Sequence, residues 1–271
     1  MYAATATAPG QDDKQSEDWA GISPTVAVLL DGLSSTSDVV SGCHHGTPWF
    51  VSHLGTRLLA EAVDSGNTLQ EALYAAIEQV SKLHPMCDHT NPGAPSATVA
   101  AVRLNSSGLI DYLVLADARV VIGGLDGVRV ITDERVDEVA GEYRDAVLRE
   151  PIGSSEHQHA IAALIATQQP LRNHPDGYWI AAADPTAAAH ALTGSVPSTG
   201  ISHTALLSDG ASRLVDTFEV ATWEQTLMLA RNHGPDHIIA RVRELERSDP
   251  TGQRWPRYKT SDDATIVYVR W

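Results

Sequence analysis

The sequence has little sulfur, few lysines and no long apolar run. Its two cysteines, Cys43 and Cys87, form no CxxC pair and are too few for a disulfide framework in 271 residues, so a reducing cytoplasm is the simpler expectation. No stretch approaches the roughly 18 apolar residues that a membrane span needs. The amino terminus, MYAATATA, has neither the basic start nor the apolar core of a secretory signal. Basic charge is scarce: Lys and Arg number 19 against 34 Asp and Glu, for a net charge of -15. That balance excludes the dense basic face of a nucleic-acid binder. The lysines are Lys14, Lys82 and Lys259 alone, among many arginines and alanines, a bias that fits a GC-rich genome and carries no chemistry. Apolar residues at 43% and charged residues at 20% are ordinary for a soluble globular protein. The length suffices for a substantial core. With no repeat or convincing linker, one domain over residues 1–271 is expected, residues 1–16 being partly mobile.

Short β-branched runs bounded by turn residues predict strands at 25–30 (TVAVLL), 97–104, 109–116, 119–122, 178–183, 204–207 and 265–269. Asn-Ser-Ser-Gly between Leu104 and Leu109 reads as a hairpin connection. Helical spacing marks 48–62 and 68–80, the latter opened by a capping box of Thr68 and Glu71. Further helices are expected at 136–148, 156–167, 185–192, 222–231 and 235–246, with Asp184-Pro185 as an N-cap and first-turn proline. Strands come in clusters and helices in pairs, without steady βαβ alternation. An α+β fold with antiparallel sheets follows.

Three aspartates close predicted strands: Asp31, Asp117 and Asp209. A fourth, Asp262, stands just before the last one. Asp-Gly is also a common turn dipeptide, which explains any one of them alone. Four carboxylates along one sheet rim would repel one another unless cations lay between them. Oxygen donors suit Mg²⁺ or Mn²⁺ over zinc. A water shared by two such ions becomes a nucleophile at neutral pH, apt for a phosphate monoester, which hydrolyses very slowly unaided.

In order, the chain reads Ser16-Glu17-Asp18, LLDG (29–32), PSATVA (95–100), LADAR (115–119), VITDER (130–135), LLSDG (206–210) and SDDAT (261–265). This resembles the type 2C metal-dependent protein phosphatases, whose signatures look like NED, FDG, GSTA, GDSR, LTxDH, SDG and DNMT. The resemblance spans residues 15–269. It implies a four-layer αββα sandwich, two packed antiparallel sheets flanked by helix pairs, with a variable flap over 133–200. It also implies that two Mn²⁺ or Mg²⁺ ions are bridged by Asp31, with the Gly32 carbonyl facing one of them and Asp209 and Asp262 completing the shell. Glu17 and Asp18 would hold coordinated waters, and Asp117 would lie beside the pair where relatives bind a looser third ion. The implied activity is hydrolysis of phosphoserine or phosphothreonine on a protein by a hydroxide bridging the two ions.

Several positions depart from that pattern. Leu33 follows Asp-Gly where some relatives carry a histidine as general acid, which leaves His44 or His45 as substitutes. The phosphate-gripping arginine before NED is replaced by Asp13, with Lys14 adjacent as a weaker point charge. Ser212 and Arg213 stand where third-ion relatives have an acid, so a third ion is not expected; Asp216 comes one turn late. His157 and His159, two apart on a helix, would diverge and hold no metal. Cys43 lacks the C-x5-R phosphate loop, since position 49 is Trp49. A haloacid dehalogenase reading of LLDG needs an acid where Leu33 stands. The alternatives to a protein phosphatase are a non-catalytic scaffold of the same fold that binds a protein partner, and a phosphatase of a small phosphorylated metabolite.

Overall fold

The computed structural model describes residues 1–33, 41–64 and 66–271. Its strands are β1 (Tyr2–Ala8), β2 (Trp19–Ile22), β3 (Val26–Leu33), β4 (Ser96–Leu104), β5 (Leu109–Leu115), β6 (Arg119–Gly124), β7 (Gly127–Ile131), β8 (Leu192–Pro197), β9 (Ile201–Leu207) and β10 (Ala264–Arg270). Helices are α1 (Thr47–Val63), α2 (Leu69–Ser81), α3 (Arg135–Glu138), α4 (Gly141–Arg149), α5 (Ser155–Gln168), α6 (Asp209–Asp216), α7 (Trp223–His233) and α8 (Pro235–Ser248). One sheet runs β1-β10-β9-β6-β7 and the other β2-β3-β4-β5-β8. Each neighbouring pair is antiparallel.

Alternation along the strands builds the layers, because successive side chains leave opposite faces. Ala27 and Leu29 of β3, with Ala100 and Val102 of β4, meet Val120 and Ile122 of β6, Leu206 of β9 and Val267 of β10 between the sheets. The opposite face of β3, Val26, Val28 and Leu30, packs under Phe50, Leu54 and Leu58 of α1 and Leu73 and Ile77 of α2. On the other sheet, Val121, Leu207 and Ile266 pack under Leu214 of α6, Leu227 of α7 and Ile238 and Val242 of α8. Both faces of the central strands are dry, which is why 26–30 reads as an unbroken apolar run. This is the expected αββα sandwich.

Local departures have local causes. The predicted strand at 178–183 makes only isolated bridges, Ala97 to Ala181 and Arg172 to Tyr178. Ala181 takes the flank of β4 left open beyond the Val99–Leu115 pair. The expected helix at 185–192 is a 3-10 turn over Pro185–His190, begun as predicted by Asp184, whose carboxylate accepts from the Thr186 N–H at 2.9 Å. Its end then becomes β8 on the edge of β5. The helix expected at 136–148 is split into α3 and α4 at Ala140, which has φ of 66°. Residues 1–16, read as partly mobile, supply β1, paired with β10 from Tyr2↔Arg270 to Ala8↔Ala264.

Candidate active site

Topology brings the aspartates to one end of the sandwich. β3 ends at Asp31–Leu33, and β2, antiparallel to it, begins there, with Trp19 opposite Leu30. Asp18 immediately precedes β2. In the other sheet β9 ends where β10 begins, Leu207 opposite Ile266, so Asp209 and Asp262 flank the same end. Asp117 lies in the short crossover from β5 of one sheet to β6 of the other, beside Ala116 at φ 61°. By parity, Asp31 leaves the same face as Ala27 and Leu29 and therefore opens into the gap between the sheets. Opposite it in β4 stands Thr98, and Ser96 pairs with Leu33.

Two glycines permit the close approach. A Cβ on Gly32 would lie 2.5 Å from the Glu17 carbonyl oxygen and 2.6 Å from Thr47 Cγ2, and one on Gly210 would lie 2.0 Å from the Asp263 carbonyl oxygen. The Gly32 N–H donates to the Glu17 carbonyl at 3.1 Å, which holds the amino-terminal segment against β3. Asp263 secures the same segment from the far sheet: its carboxylate accepts from the Glu17 N–H at 2.6 Å and the Gly10 N–H at 2.7 Å. The Asp209 N–H donates to Asp31 Oδ2 at 3.3 Å, which links the strand ends of the two sheets.

The electrostatics record how tightly the carboxylates converge. Burial first, then the charges of Asp18, Asp209, Asp262 and Asp117, hold Asp31 well above the usual carboxylate range. Burial pushes Asp18 up to about 7, aided by the charges of Asp209 and Asp263. Burial and Asp209 raise Asp117 to about 6 against the pull of Arg119. Both Asp18 carboxylate oxygens, with Thr98 Oγ1 and Ser96 Oγ, are buried without a hydrogen-bond partner in the protein. Buried polar atoms left this way are costly. An all-oxygen donor set around the unpartnered Asp18 carboxylate fits hard divalent cations, so the residues present suit Mn²⁺ or Mg²⁺.

Asp262 differs from its neighbours in being already paired. Arg213 Nη2 donates to its Oδ2 at 3.1 Å and Lys259 Nζ to its Oδ1 at 2.7 Å. Partial desolvation pulls the Lys259 pKa down, but Asp262, Asp209 and Asp31 more than reverse this and leave it above the ordinary lysine value. Arg213 is buried and also donates to Glu246 Oε1 at 2.7 Å. Sequence reading missed Lys259 and Asp263 as site residues. The signal was the spacing Lys259-x2-Asp262 ahead of a strand, a loop that puts a cation on an acid, with Asp263 the next residue along. Lys14, by contrast, sits exposed in the turn after β1, where its N–H donates to the Gln11 carbonyl at 3.2 Å. Asp216 is engaged by Arg119 Nε at 2.6 Å. His157 is buried while His159 is exposed, so they diverge. His44 and His45 lie just before α1, within reach of the two thiols: Cys87 Sγ is 3.6 Å from His44 Nδ1 and 3.5 Å from His45 Nδ1.

Similarities to other proteins follow this frame. No curated protein matches the chain. Among solved structures it is similar to the PPM Ser-Thr phosphatase MsPP from Mycobacterium smegmatis in complex with cacodylate, at 18% identity and TM-score 0.57 over 100% of this chain and 98% of that one. The Mycobacterium tuberculosis serine/threonine phosphatase PstP/Ppp is similar at 13% identity and TM-score 0.56, covering 98% and 97%. The catalytic domain of PstP in complex with two manganese ions matches at 15% identity and TM-score 0.56, covering 98% and 96%. At these identities the likeness shows the fold. The sequence profile of Protein phosphatase 2C matches residues 3–240, and with that match the chain belongs to the protein phosphatase 2C family.

Proposed function

We propose that the protein hydrolyses phosphate monoesters, with phosphoserine or phosphothreonine on a protein as substrate, using two Mn²⁺ or Mg²⁺ ions held at the end of the sandwich. The observation that carries this reading is the buried, unpartnered Asp18 carboxylate facing Asp31, Asp209 and Asp263. Asp31 with the Gly32 carbonyl, Asp209 and Asp262 would hold the ions directly. Glu17 and Asp18 would hold waters around them, with Asp117 to one side. When bound, the ions activate a water and offset the charge of the ester. The chain's own part is positional: Asp31 and Asp209 fix the two sheets' strand ends at one point, and Thr98 and Ser96 offer hydroxyls to ordered water. The reading is supported by family membership and by the relative whose catalytic domain is in complex with two manganese ions.

Lys259 is better placed than Lys14 to meet the phosphate. Its side chain is 60% exposed while its ammonium rests on Asp262. In this role a point charge stands in for the family's guanidinium. Arg213 cannot serve, being buried between Glu246 and Asp262. His45 stands among the thiols, its Nδ1 3.5 Å from Cys87 Sγ, which leaves the exposed His44 as the candidate for protonating the leaving alcohol. Leu33, the position after Asp-Gly, is exposed and offers no proton.

Turnover of para-nitrophenyl phosphate with Mn²⁺ tests the proposal. Asp31→Asn and Asp209→Asn are each expected to lower kcat/KM by about 10³-fold, the several kcal/mol that metal-assisted attack supplies, with the fold intact by circular dichroism. Full activity in either variant would refute the assignment. One observation favours a second reading, a non-catalytic scaffold: Asp262 is already neutralised by two protein cations. Under that reading the native chain would bind no Mn²⁺.

A further inference from the structure

A second cluster of ligating groups lies between the helices of the α1–α2 layer. Cys43 and His45 precede α1, and His84 and Cys87 follow α2. One ligand atom from each lies within 4.8 Å of every other. Cys43 Sγ is 3.7 Å from His45 Nδ1 and 3.7 Å from His84 Nδ1, and Cys87 Sγ is 3.5 Å from His45 Nδ1. A tetrahedral zinc with Zn–S of about 2.3 Å and Zn–N of about 2.0–2.1 Å has S···N edges of about 3.6 Å. Three of the four S···N pairs already stand at those edges. We propose that Cys43, His45, His84 and Cys87 form a structural Cys2His2 zinc site.

The donors argue for zinc and against the ions of the aspartate site. Two thiols and two imidazoles are soft to intermediate ligands, whereas Mn²⁺ and Mg²⁺ prefer oxygen. Both cysteines are free thiols and buried, so each would lose its proton as the metal binds. Four protein ligands leave no open position, which is the pattern of a structural site. His44 stands outside the set as an exposed neighbour of Cys87, at 3.6 Å.

The surroundings are those of a staple between two loops. The Asp88 N–H donates to the Gly42 carbonyl at 3.0 Å, which brings the loops together. His89 Nε2 lies 3.1 Å from the His84 carbonyl. Trp49 stacks on His45 at 4.3 Å between ring centroids and lies 4.9 Å from His84. The residues just before α1 are thus held at a fixed point, and Thr47 and Val51 of α1 pack against Gly32. The zinc site would therefore anchor the helix that backs the aspartate cluster without taking part in it.

Metal analysis of the full chain, purified by gel filtration without added zinc, should find about one zinc per chain. The Cys43→Ser/Cys87→Ser double variant should retain none. Asp31→Asn and His44→Ala should each keep it, which separates this site from the aspartate cluster. Cobalt substitution of the unmodified chain keeps the test decisive if the double variant does not fold. Thiolate charge-transfer absorption with strong visible bands is expected, and both thiols should react with a thiol reagent only after chelation. A native chain without zinc whose cobalt form lacks thiolate bands, or two cysteines recovered as a disulfide, would overturn the proposal.

Discussion

Asp18 concentrates the cost of the site in one side chain. Its folded pKa, about 7, lies far above the ordinary 3.8. The folded chain therefore holds a proton that the unfolded chain has released over that interval. Stability from this group is complete below about pH 3.8 and is lost as pH rises toward about 7. Asp31 and Asp117 are raised as well and act in the same direction. Melting curves in EDTA should accordingly show the contribution of these carboxylates falling between pH 4 and pH 7, and Asp18→Asn should flatten the slope. Mn²⁺ should restore the melting temperature most at the upper end of the range. A native slope that Asp18→Asn leaves unchanged would contradict the burial of that carboxylate. Lys259→Ala tests the phosphate contact: KM should rise about tenfold with kcat less affected, the signature of a lost binding interaction. An unchanged KM would remove Lys259 from the site.

Elements explain why the acids meet. Two strand ends from each sheet, and the short crossover from β5 to β6, share a single end of the sandwich. Helix α8 locks this end from outside. Its Glu246 is fully buried and accepts from Arg213 of α6 and from Arg243, whose Nη2 also donates to the Asp262 carbonyl at 2.6 Å. Glu246→Ala would remove the buried acid that both guanidiniums share, leaving Arg213 on Asp262 and Arg243 on backbone carbonyls, and urea unfolding should show a loss of about 3 kcal/mol. A milder effect is expected at α2, where the Thr68 hydroxyl accepts from the Glu71 N–H at 3.1 Å and Glu71 accepts from the Thr68 N–H at 2.7 Å. Thr68→Ala should cost about 1 kcal/mol.

Val26–Leu30 and Thr265–Val269 were legible because burial on both faces leaves an unbroken β-branched run, and α2 because its capping box is local. The acids at strand ends were legible because the chain must turn where a strand stops. β1 and β8 were missed because edge strands with alternating small and polar residues carry no apolar signal; only their partners β10 and β5 define them. α6 was hidden by the turn reading of Ser-Asp-Gly. The Cys2His2 cluster could not be seen because its halves lie at opposite ends of a helical hairpin, and only the packing of α1 on α2 joins them.

Across the whole molecule, the αββα sandwich and the sequence profile match over residues 3–240 agree on the protein phosphatase 2C family. In the proposed function, the carboxylates at the end of the sandwich hold divalent cations. Calorimetric titration of the chain as purified, without added zinc, with Mn²⁺ tests this directly, because Mn²⁺ prefers oxygen donors and its heat reports the aspartates over the thiol site. Two equivalents should bind between micromolar and millimolar affinity, and Asp209→Asn should abolish the tighter one. Absence of Mn²⁺ binding to the folded native chain would contradict the account and leave a phosphatase fold without its metals.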